Sequence, residues 1–318
     1  MKLGGDRIVV YSNSLLEPKH LAQIQAVDPR IVLKYRPEGF GTDGRQTAYP
    51  SEGRTAPANT AESVDEILAQ ADVLVGFRIP DDLRRRAPRL RWIQVLRAGL
   101  GKEKAFMGEG LVVTNARGLH AEPIAEYILG VMIYFAKDFA NLTDQKRRRT
   151  AERMLMGELR GQTAGIIGLG GIGEATARLC RAHGMTVLAT RRSTTERQVG
   201  VGAVDELYPA KDLPEVIRRA DYLILTVPGT AETDRLIGEA EIAQMKSDAV
   251  LINVGRGSCV DEPALIRALR EGRLRGAGLD VTATEPLPPE SELYDLPNAF
   301  LSYHNAGTFT SYNDRAIE

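Results

Sequence analysis

The sequence predicts an α/β protein built from two doubly wound parallel-sheet domains, and three observations lead to this prediction. Short apolar segments of strand length alternate with amphipathic helical segments in two successive runs along the chain. A glycine-rich turn follows a strand-like segment at the start of the second run. The chain has 318 residues, which exceeds the usual size of one domain. Strands that alternate with helices typically form a parallel sheet covered on both faces.

The first run of this pattern occupies the N-terminal part of the chain. Strand-like segments lie at residues 8–11, 31–33, 73–77 and 92–96, and helix-like segments lie at 17–27 and 61–70. A region rich in Gly, Pro and Thr over 37–60 is predicted to be a loop. The run predicts a smaller, flavodoxin-like domain over residues 1–100.

The second run is the more regular of the two. Its strand-like segments lie at residues 164–167, 186–189, 222–227, 249–254, 278–281 and 300–303. A long helix from about Pro123 to Phe139 precedes the run, and proline suits a first helical turn because its missing N–H needs no partner there. The run predicts a second doubly wound domain over residues 101–302.

Composition and charge exclude several classes of protein. Hydrophobic residues make up 43% of the chain and charged residues 26%, which is an ordinary globular mixture. The formal net charge of −1 provides no overall field for nucleic acid or an anionic membrane, and the basic run at 146–149 is interpreted as a solvated stretch. The two cysteines, Cys180 and Cys259, are too few for a disulfide scaffold and form no CxxC pair. We therefore expect no metal site.

The N-terminus lacks the apolar region of a signal peptide. The most apolar stretch, 127–136, is too short to span a bilayer and is interpreted as a buried helix. We therefore expect a cytoplasmic protein without membrane partners.

A glycine loop at the start of the second run predicts dinucleotide binding. The loop consists of Gly168, Leu169, Gly170, Gly171, Ile172 and Gly173, and it matches G-x-G-x-x-G between a strand and a helix. In such a loop Gly168 allows the tight turn, Gly170 lets the backbone approach a pyrophosphate, and Gly173 lets the helix pack on the strand. The helix N-terminus offers N–H groups and partial positive charge to phosphates. The second domain is therefore predicted to be a Rossmann-type dinucleotide-binding domain.

The end of its second strand indicates which dinucleotide is bound. NAD-binding domains usually place Asp or Glu there to hold the ribose 2′-hydroxyl. Here the position is occupied by Arg191, Arg192 and Ser193, which can bind a 2′-phosphate. The alternative is a pair of exposed arginines in a turn. The sequence thus favours NADP(H), with NAD(H) as a possible second cofactor.

Three segments of the last third carry residues suited to catalysis. Arg256 follows one strand at a glycine turn, Glu285 lies in the segment that leaves another, and His304 follows a third. Strand ends of this kind border the ligand crevice of an open α/β sheet. Taken singly, each residue could be structural: a capping Arg, a surface Glu or a core His. Together they provide an anion clamp, an orienting carboxylate and a proton carrier.

The sequence resembles the D-isomer-specific 2-hydroxyacid dehydrogenases, with matching motifs from about Leu90 to Gly307. The motifs are residues 121–126, 158–161, the glycine loop, 253–257, 278–286 and 304–307. The resemblance implies that Arg256 binds the carboxylate and carbonyl of a 2-oxo acid, that His304 is the acid/base, and that Glu285 is its partner. It implies a nicotinamide contact through Asp280, further cofactor contacts through Val227, Pro228, Val254 and Gly255, and a substrate-carboxylate loop of Arg97, Ala98 and Gly99.

The sequence departs from the family pattern at several positions. Tyr303 replaces the usual Pro before the histidine, and Asn305 replaces an apolar residue after it. Arg97 stands where a small or neutral residue is expected, so it is predicted either to add a second anion contact or to point into solvent.

The favoured function is reduction of glyoxylate, hydroxypyruvate or a similar 2-oxo acid by NADP(H). One alternative is an NAD-linked D-2-hydroxyacid dehydrogenase of the lactate type. Another is a non-catalytic protein that senses dinucleotides, although the complete set of Arg256, Glu285 and His304 counts against it. The resemblance also implies that residues 303–318 return towards the first domain and that a homodimer forms through the dinucleotide-binding domain.

Overall fold

Strand pairing and packing divide the chain into two units. The computed structural model describes residues 6–37, 55–77, 79–97, 100, 102–108 and 110–318. One unit comprises Met1–His120 and Thr308–Glu318, and the other comprises Ala121–Gly307. The predicted boundaries were at 100/101 and 302/303. The first boundary differs because a strand within 101–120, which the apolar pattern did not reveal, pairs with the sheet of the first unit. The second differs because Asp280 binds the backbone N–H groups of residues 304–306 and so keeps them in the second unit.

The described strands of the first unit form a five-stranded parallel sheet. They are β1 (Ile8–Ser12), β2 (Ile31–Tyr35), β3 (Val73–Gly76), β4 (Trp92–Val95) and β5 (Val112–Asn115). The helices between them are α1 (Pro18–Ala26), α2 (Val64–Gln70) and α3 (Leu83–Arg86). The strand order β2-β1-β3-β4-β5 is the doubly wound flavodoxin-like order, which confirms the predicted fold of this unit.

The second unit, every residue of which is described, contains an eight-stranded sheet. Its helices are α4 (Ala121–Ala136), α5 (Phe139–Arg148), α6 (Gly171–Ala182), α7 (Leu213–Arg219), α8 (Glu239–Ile242) and α9 (Glu262–Arg270). Its strands are β6 (Thr163–Ile167), β7 (Thr186–Arg191), β8 (Gln198–Val201), β9 (Val204–Pro209), β10 (Tyr222–Leu225), β11 (Val250–Asn253), β12 (Gly276–Leu279) and β13 (Ala299–Leu301). The central order β9-β7-β6-β10-β11-β12 is that of a Rossmann fold, as predicted, and only the edge strand β8 is antiparallel.

Both faces of the second sheet are apolar because helices cover each of them. Ile166 and Ile252 belong to one hydrophobic cluster, whereas the adjacent Ile167 and Leu251 belong to the cluster on the opposite face. This alternation explains why the strands read as continuous apolar runs. Helix α4 approaches β12 closely because the strand carries glycine there. A Cβ atom at Gly276 would lie 2.4 Å from the Phe135 ring.

The C-terminal segment packs within the first unit. Its helix α10 (Tyr312–Ile317) is tied to the region around α1, where the His20 ring lies 2.8 Å from the Asp314 carboxylate. The Asn313 amide donates to the Leu15 carbonyl at 2.9 Å. The Tyr312 hydroxyl also donates to the Leu96 carbonyl. These bonds join residues far apart in sequence and close the first unit.

None of the helices in the described ranges has both the length and the apolar character that a membrane crossing requires.

Candidate active site

Five neighbouring strands of the second unit deliver their following loops to one edge of the sheet. The strands β6, β10, β11, β12 and β13 are parallel, so their carboxyl ends lie together. The loops that follow carry Gly168, Val227, Gly255, Asp280 and His304, respectively. The order of the strands therefore brings residues from five separate segments to one edge.

The glycine loop after β6 has the shape expected for a dinucleotide cradle. Gly168 has a φ of +99°, and Cβ atoms at Gly168 and Gly173 would lie 2.6 Å from neighbouring protein atoms. The fold therefore requires both glycines. A Cβ at Gly170 would meet no protein atom within 4 Å, and no side chain caps the helix there. The absence of a side chain at Gly170 leaves open space at the N-terminus of α6, which fits an approaching pyrophosphate.

Arg191, the last residue of β7, is held against this glycine loop. Its Nε donates to the Leu169 carbonyl at 2.9 Å, and its Nη2 donates to the Glu174 carboxylate at 2.5 Å. Arg192 and Ser193 are exposed directly after it. The structure thus places Arg191, the first of the predicted 2′-phosphate residues, beside the loop. The contact with Glu174 was not predicted from the sequence, because only the folded position of α6 brings its carboxylate to Arg191.

A polar side chain shapes the turn that presents Arg256. The Asn253 amide accepts from the Gly255 N–H at 3.0 Å and donates to the Arg256 carbonyl at 2.9 Å. A Cβ at Gly255 would lie 2.5 Å from the Val227 carbonyl oxygen, and one at Gly257 would lie 1.9 Å from that of Thr282. The turn is therefore packed against the backbone of two other loops. Arg256 itself is exposed.

His304 and Glu285 form the pair that the sequence predicted. The His304 Nδ1 lies 2.9 Å from a Glu285 oxygen, and both side chains are partly exposed. An ionised carboxylate only accepts hydrogen bonds, so Nδ1 carries a proton and donates to it. This leaves the Nε2 atom of the imidazole for exchange with a substrate. Glu285 is held in turn by the Thr282 N–H, which donates to its other oxygen at 3.3 Å.

Arg256 and Glu285 line the same open cleft of 690 Å³ in the second unit. Thr230, Asp234 and Ser258 also line it. The cleft thus collects the Arg256 guanidinium and the carboxylates of Asp234 and Glu285, and Glu285 is bound to the imidazole of His304. Such a set can bind an anionic oxo acid and transfer a proton.

Asp280 has more contacts than the sequence indicated. Its side chain is 3% exposed, and its Oδ1 accepts hydrogen bonds from the Ser302 hydroxyl and from the N–H groups of Asn305 and Ala306. The Ser302 hydroxyl also lies 2.6 Å from that of Tyr127 on α4. Sequence reasoning missed both hydroxyl residues, because neither belongs to a motif that predicts chemistry.

The predicted substrate loop lies in the first unit and is only partly described. Ala98 and Gly99 lie outside the described residues. The Arg97 guanidinium donates to the Phe77 carbonyl at 3.2 Å and forms an ion pair with Glu103, which is fully buried. A buried carboxylate of this kind needs a cation, so part of the role of Arg97 lies within its own unit. Its contact with substrate stays a prediction.

Comparison with known proteins agrees with this arrangement of loops and side chains. The family model described as the NAD binding domain of D-isomer specific 2-hydroxyacid dehydrogenase matches residues 129–306. The chain belongs to this family. It is therefore an oxidoreductase that uses a nicotinamide dinucleotide.

Relatives and a solved structure cover most of this dehydrogenase. A glyoxylate reductase from Aeropyrum pernix is 35% identical over 271 residues, which are 81% of this chain and 77% of the relative. A D-3-phosphoglycerate dehydrogenase from Methanocaldococcus jannaschii is 34% identical over 269 residues; the match covers 81% of this chain but 50% of the relative. The structure of an NADPH-dependent glyoxylate/hydroxypyruvate reductase from Sinorhizobium meliloti, in complex with citrate, superimposes with a TM-score of 0.74 and 25% identity. It covers 98% of this chain and 91% of that one.

The open space at Gly170 leads to a test of the dinucleotide cradle. In a Gly170→Ala variant the added methyl group meets no protein atom, so we expect the thermal unfolding midpoint to stay unchanged. The methyl group would stand where the backbone must approach a phosphate, so the Kd for dinucleotide should rise roughly tenfold or more. Nucleotide titration by fluorescence measures this change.

The matched control is Gly130→Ala, since a Cβ at Gly130 on α4 also meets nothing within 4 Å. This variant should bind dinucleotide normally. Equal affinity in both variants would show that Gly170 does not face the cofactor.

Proposed function

We propose that this dehydrogenase reduces a small 2-oxo acid such as glyoxylate or hydroxypyruvate, with NADPH as the preferred reductant. The observation that carries the proposal is the cleft lined by Arg256 and Glu285, with His304 bound to Glu285 at 2.9 Å. The relatives add support. The protein from Aeropyrum pernix is named a glyoxylate reductase, and the one from Sinorhizobium meliloti an NADPH-dependent glyoxylate/hydroxypyruvate reductase.

Arg256, Glu285 and His304 each have a role in this reaction. A bound nicotinamide supplies the hydride. Reduction leaves negative charge on the carbonyl oxygen of the substrate, and the Nε2–H of a protonated His304 neutralises it by donating a proton. Glu285 holds the ring through Nδ1 and so orients Nε2 for the transfer. The Arg256 fork binds the carboxylate and carbonyl oxygens side by side.

Replacement of His304 tests the proton transfer. His304→Ala removes the donor without touching the glycine loop, so turnover should fall by about two orders of magnitude or more. The Kd for dinucleotide should stay nearly unchanged. Loss of reduced-nicotinamide absorbance over a panel of 2-oxo acids measures turnover, with NADPH and NADH in parallel.

The control is His183→Ala, because His183 is an exposed histidine of the same unit that contacts only backbone at the end of α6. It should retain full turnover. Near-normal turnover in the His304 variant would remove that residue from the mechanism. Absence of turnover in the unmodified protein with every 2-oxo acid would favour a protein that only senses dinucleotides.

The preference for NADPH rests on the end of β7. Neither Asp nor Glu stands at the end of this strand to accept from a ribose 2′-hydroxyl, and Arg191 occupies the position instead. A guanidinium has five N–H donors, so the contacts with Leu169 and Glu174 fix its position and leave donors for a phosphate. The nearby carboxylate of Glu174 is the one feature that favours NAD, since it opposes a phosphate.

Cofactor choice can be measured directly. We expect NADPH to exceed NADH in kcat/KM by about tenfold, since one charge-assisted hydrogen bond contributes about 1.5–3 kcal/mol. Arg191→Asp should lower the efficiency with NADPH sharply through repulsion and should improve NADH by supplying an acceptor. The control is Arg178→Ala, because this exposed arginine of α6 pairs with Glu122 instead. Equal use of both cofactors by the unmodified protein would refute the preference.

The homodimer is proposed to form through the second unit. Leu155 is 102% exposed and Met156 is also exposed, and both lie in the segment that joins α5 to β6. Apolar side chains grouped in this way are typical of surfaces that a partner covers.

Substitution in this segment tests the dimer. Leu155→Asp places a charge in the expected interface, so the protein should sediment as a monomer at concentrations where the parent is a dimer. The control is Val199→Asp on the edge strand β8, where the side chain is 73% exposed. A parent that sediments as a monomer, or identical behaviour of both variants, would refute the interface.

A further inference from the structure

A chain of hydroxyl groups runs from α4 to the buried carboxylate of Asp280. The Tyr127 hydroxyl lies 2.6 Å from the Ser302 hydroxyl, which lies 2.5 Å from Asp280 Oδ1. These three residues come from α4, from the segment after β13 and from the segment after β12. All three belong to the second unit.

The chemistry of the groups determines the direction of each hydrogen bond. An ionised carboxylate only accepts, so Ser302 donates its single proton to Asp280. Ser302 then has no proton left for Tyr127, and the Tyr127 hydroxyl must donate to it. Burial, together with the charge of Asp280, raises the pKa of Tyr127 to about 12, so the phenol keeps the proton that it donates. The chain therefore runs in one direction, from phenol to carboxylate.

The carboxylate at the end of this chain anchors the loop that carries His304. Asp280 Oδ1 also accepts from the N–H groups of Asn305 at 2.8 Å and Ala306 at 3.0 Å. The backbone carbonyl of Asp280 accepts from the His304 N–H at 2.7 Å. Asp280 thus holds three successive residues of the loop.

This anchoring matters because His304 has an unfavourable backbone conformation. Its φ is +58°, in the left-handed region that residues with a Cβ rarely adopt. A residue stays in this region only when surrounding contacts hold it there. The three N–H groups bound by Asp280 are such contacts, and the resulting conformation directs Nδ1 to Glu285.

We propose that Tyr127 and Ser302 are positioning residues for His304. Their hydroxyl groups fix the Asp280 carboxylate, which fixes the loop and so the imidazole. The proposal rests on the proposed role of His304 as proton donor. The alternative is that the hydrogen bonds of the two hydroxyls only stabilise the fold at a partly buried place.

Single substitutions separate the two views. Tyr127→Phe keeps the ring that packs near Phe300 and removes one hydroxyl, whereas Ser302→Ala removes the link to Asp280. We expect kcat at saturating dinucleotide to fall roughly three- to tenfold in each, as the loss of about one hydrogen bond implies, with a smaller change in KM for the 2-oxo acid. Ser302→Thr retains the hydroxyl and should restore kcat.

Tyr222→Phe is the matched control. Tyr222 is a buried tyrosine, and its hydroxyl also bonds to helix α4, donating to the Met132 carbonyl at 3.3 Å. Its removal should cost comparable stability and leave kcat unchanged. The positioning role is wrong if Tyr127→Phe lowers kcat no more than Tyr222→Phe, or if Ser302→Thr fails to rescue.

The double variant tests whether the two hydroxyls act in series. Tyr127 reaches Asp280 only through Ser302 in this chain, so Tyr127→Phe should have no further effect on kcat in the Ser302→Ala background. Losses that multiply in the double variant would contradict a serial chain.

Amide hydrogen exchange distinguishes failure of this inference from failure of the proposed function. The N–H groups of Asn305 and Ala306 should exchange several-fold faster in Ser302→Ala than in the parent, whatever the role of His304. Unchanged protection would overturn the anchoring. Faster exchange combined with full turnover in His304→Ala would instead retain the anchoring and refute the proposed function.

Discussion

The common direction of the strands in the second sheet is the constraint on which the candidate site depends. Because β6, β10, β11, β12 and β13 are parallel, their following loops must share one edge. The loops then touch through backbone atoms where glycine removes the side chain. Cβ atoms at Gly168 and Gly255 would each lie within 2.6 Å of Val227, and one at Gly257 would overlap Thr282. The strand order brings the loops to one edge, and the glycines let them pack closely against one another.

At this edge of the sheet, buried polar side chains fix the conformations of the loops, and exposed polar side chains remain available to a substrate. Asn253 and Asp280 are 1% and 3% exposed, and both bind backbone groups of the turns that carry Arg256 and His304. A buried polar group without partners costs about 1–3 kcal/mol, so each of these side chains strongly favours one loop conformation. Arg256, Glu285 and His304 remain exposed and can meet a substrate.

On the cofactor side of the candidate site, the positive charge of Arg191 lies against the negative charge of Glu174. The Arg191–Glu174 pair has side-chain exposures of 34% and 53%, and ion pairs this exposed contribute only about 0–1 kcal/mol. In the NADPH complex that we propose, the doubly charged 2′-phosphate competes for the same guanidinium with a stronger charge-assisted interaction. In that proposal Glu174 orders Arg191 before binding without preventing the phosphate from binding. The exposed position of both side chains keeps the cost of rearrangement low.

The sequence by itself determined the two sheets, the glycine loop and the grouping of Arg256, Glu285 and His304. Apolar periodicity and glycine spacing are local features, because each is visible within a short stretch of sequence. Once the strands are known to be parallel, their ends must lie together. Only the tertiary structure assigned β5 to the first unit, placed Glu103 beside Arg97, and linked Tyr127 to Ser302 across 175 residues. Those contacts depend on which helix packs over which strand and on side-chain direction. A single hydroxyl or carboxylate carries no sequence signal of the partner that folding brings within hydrogen-bond distance.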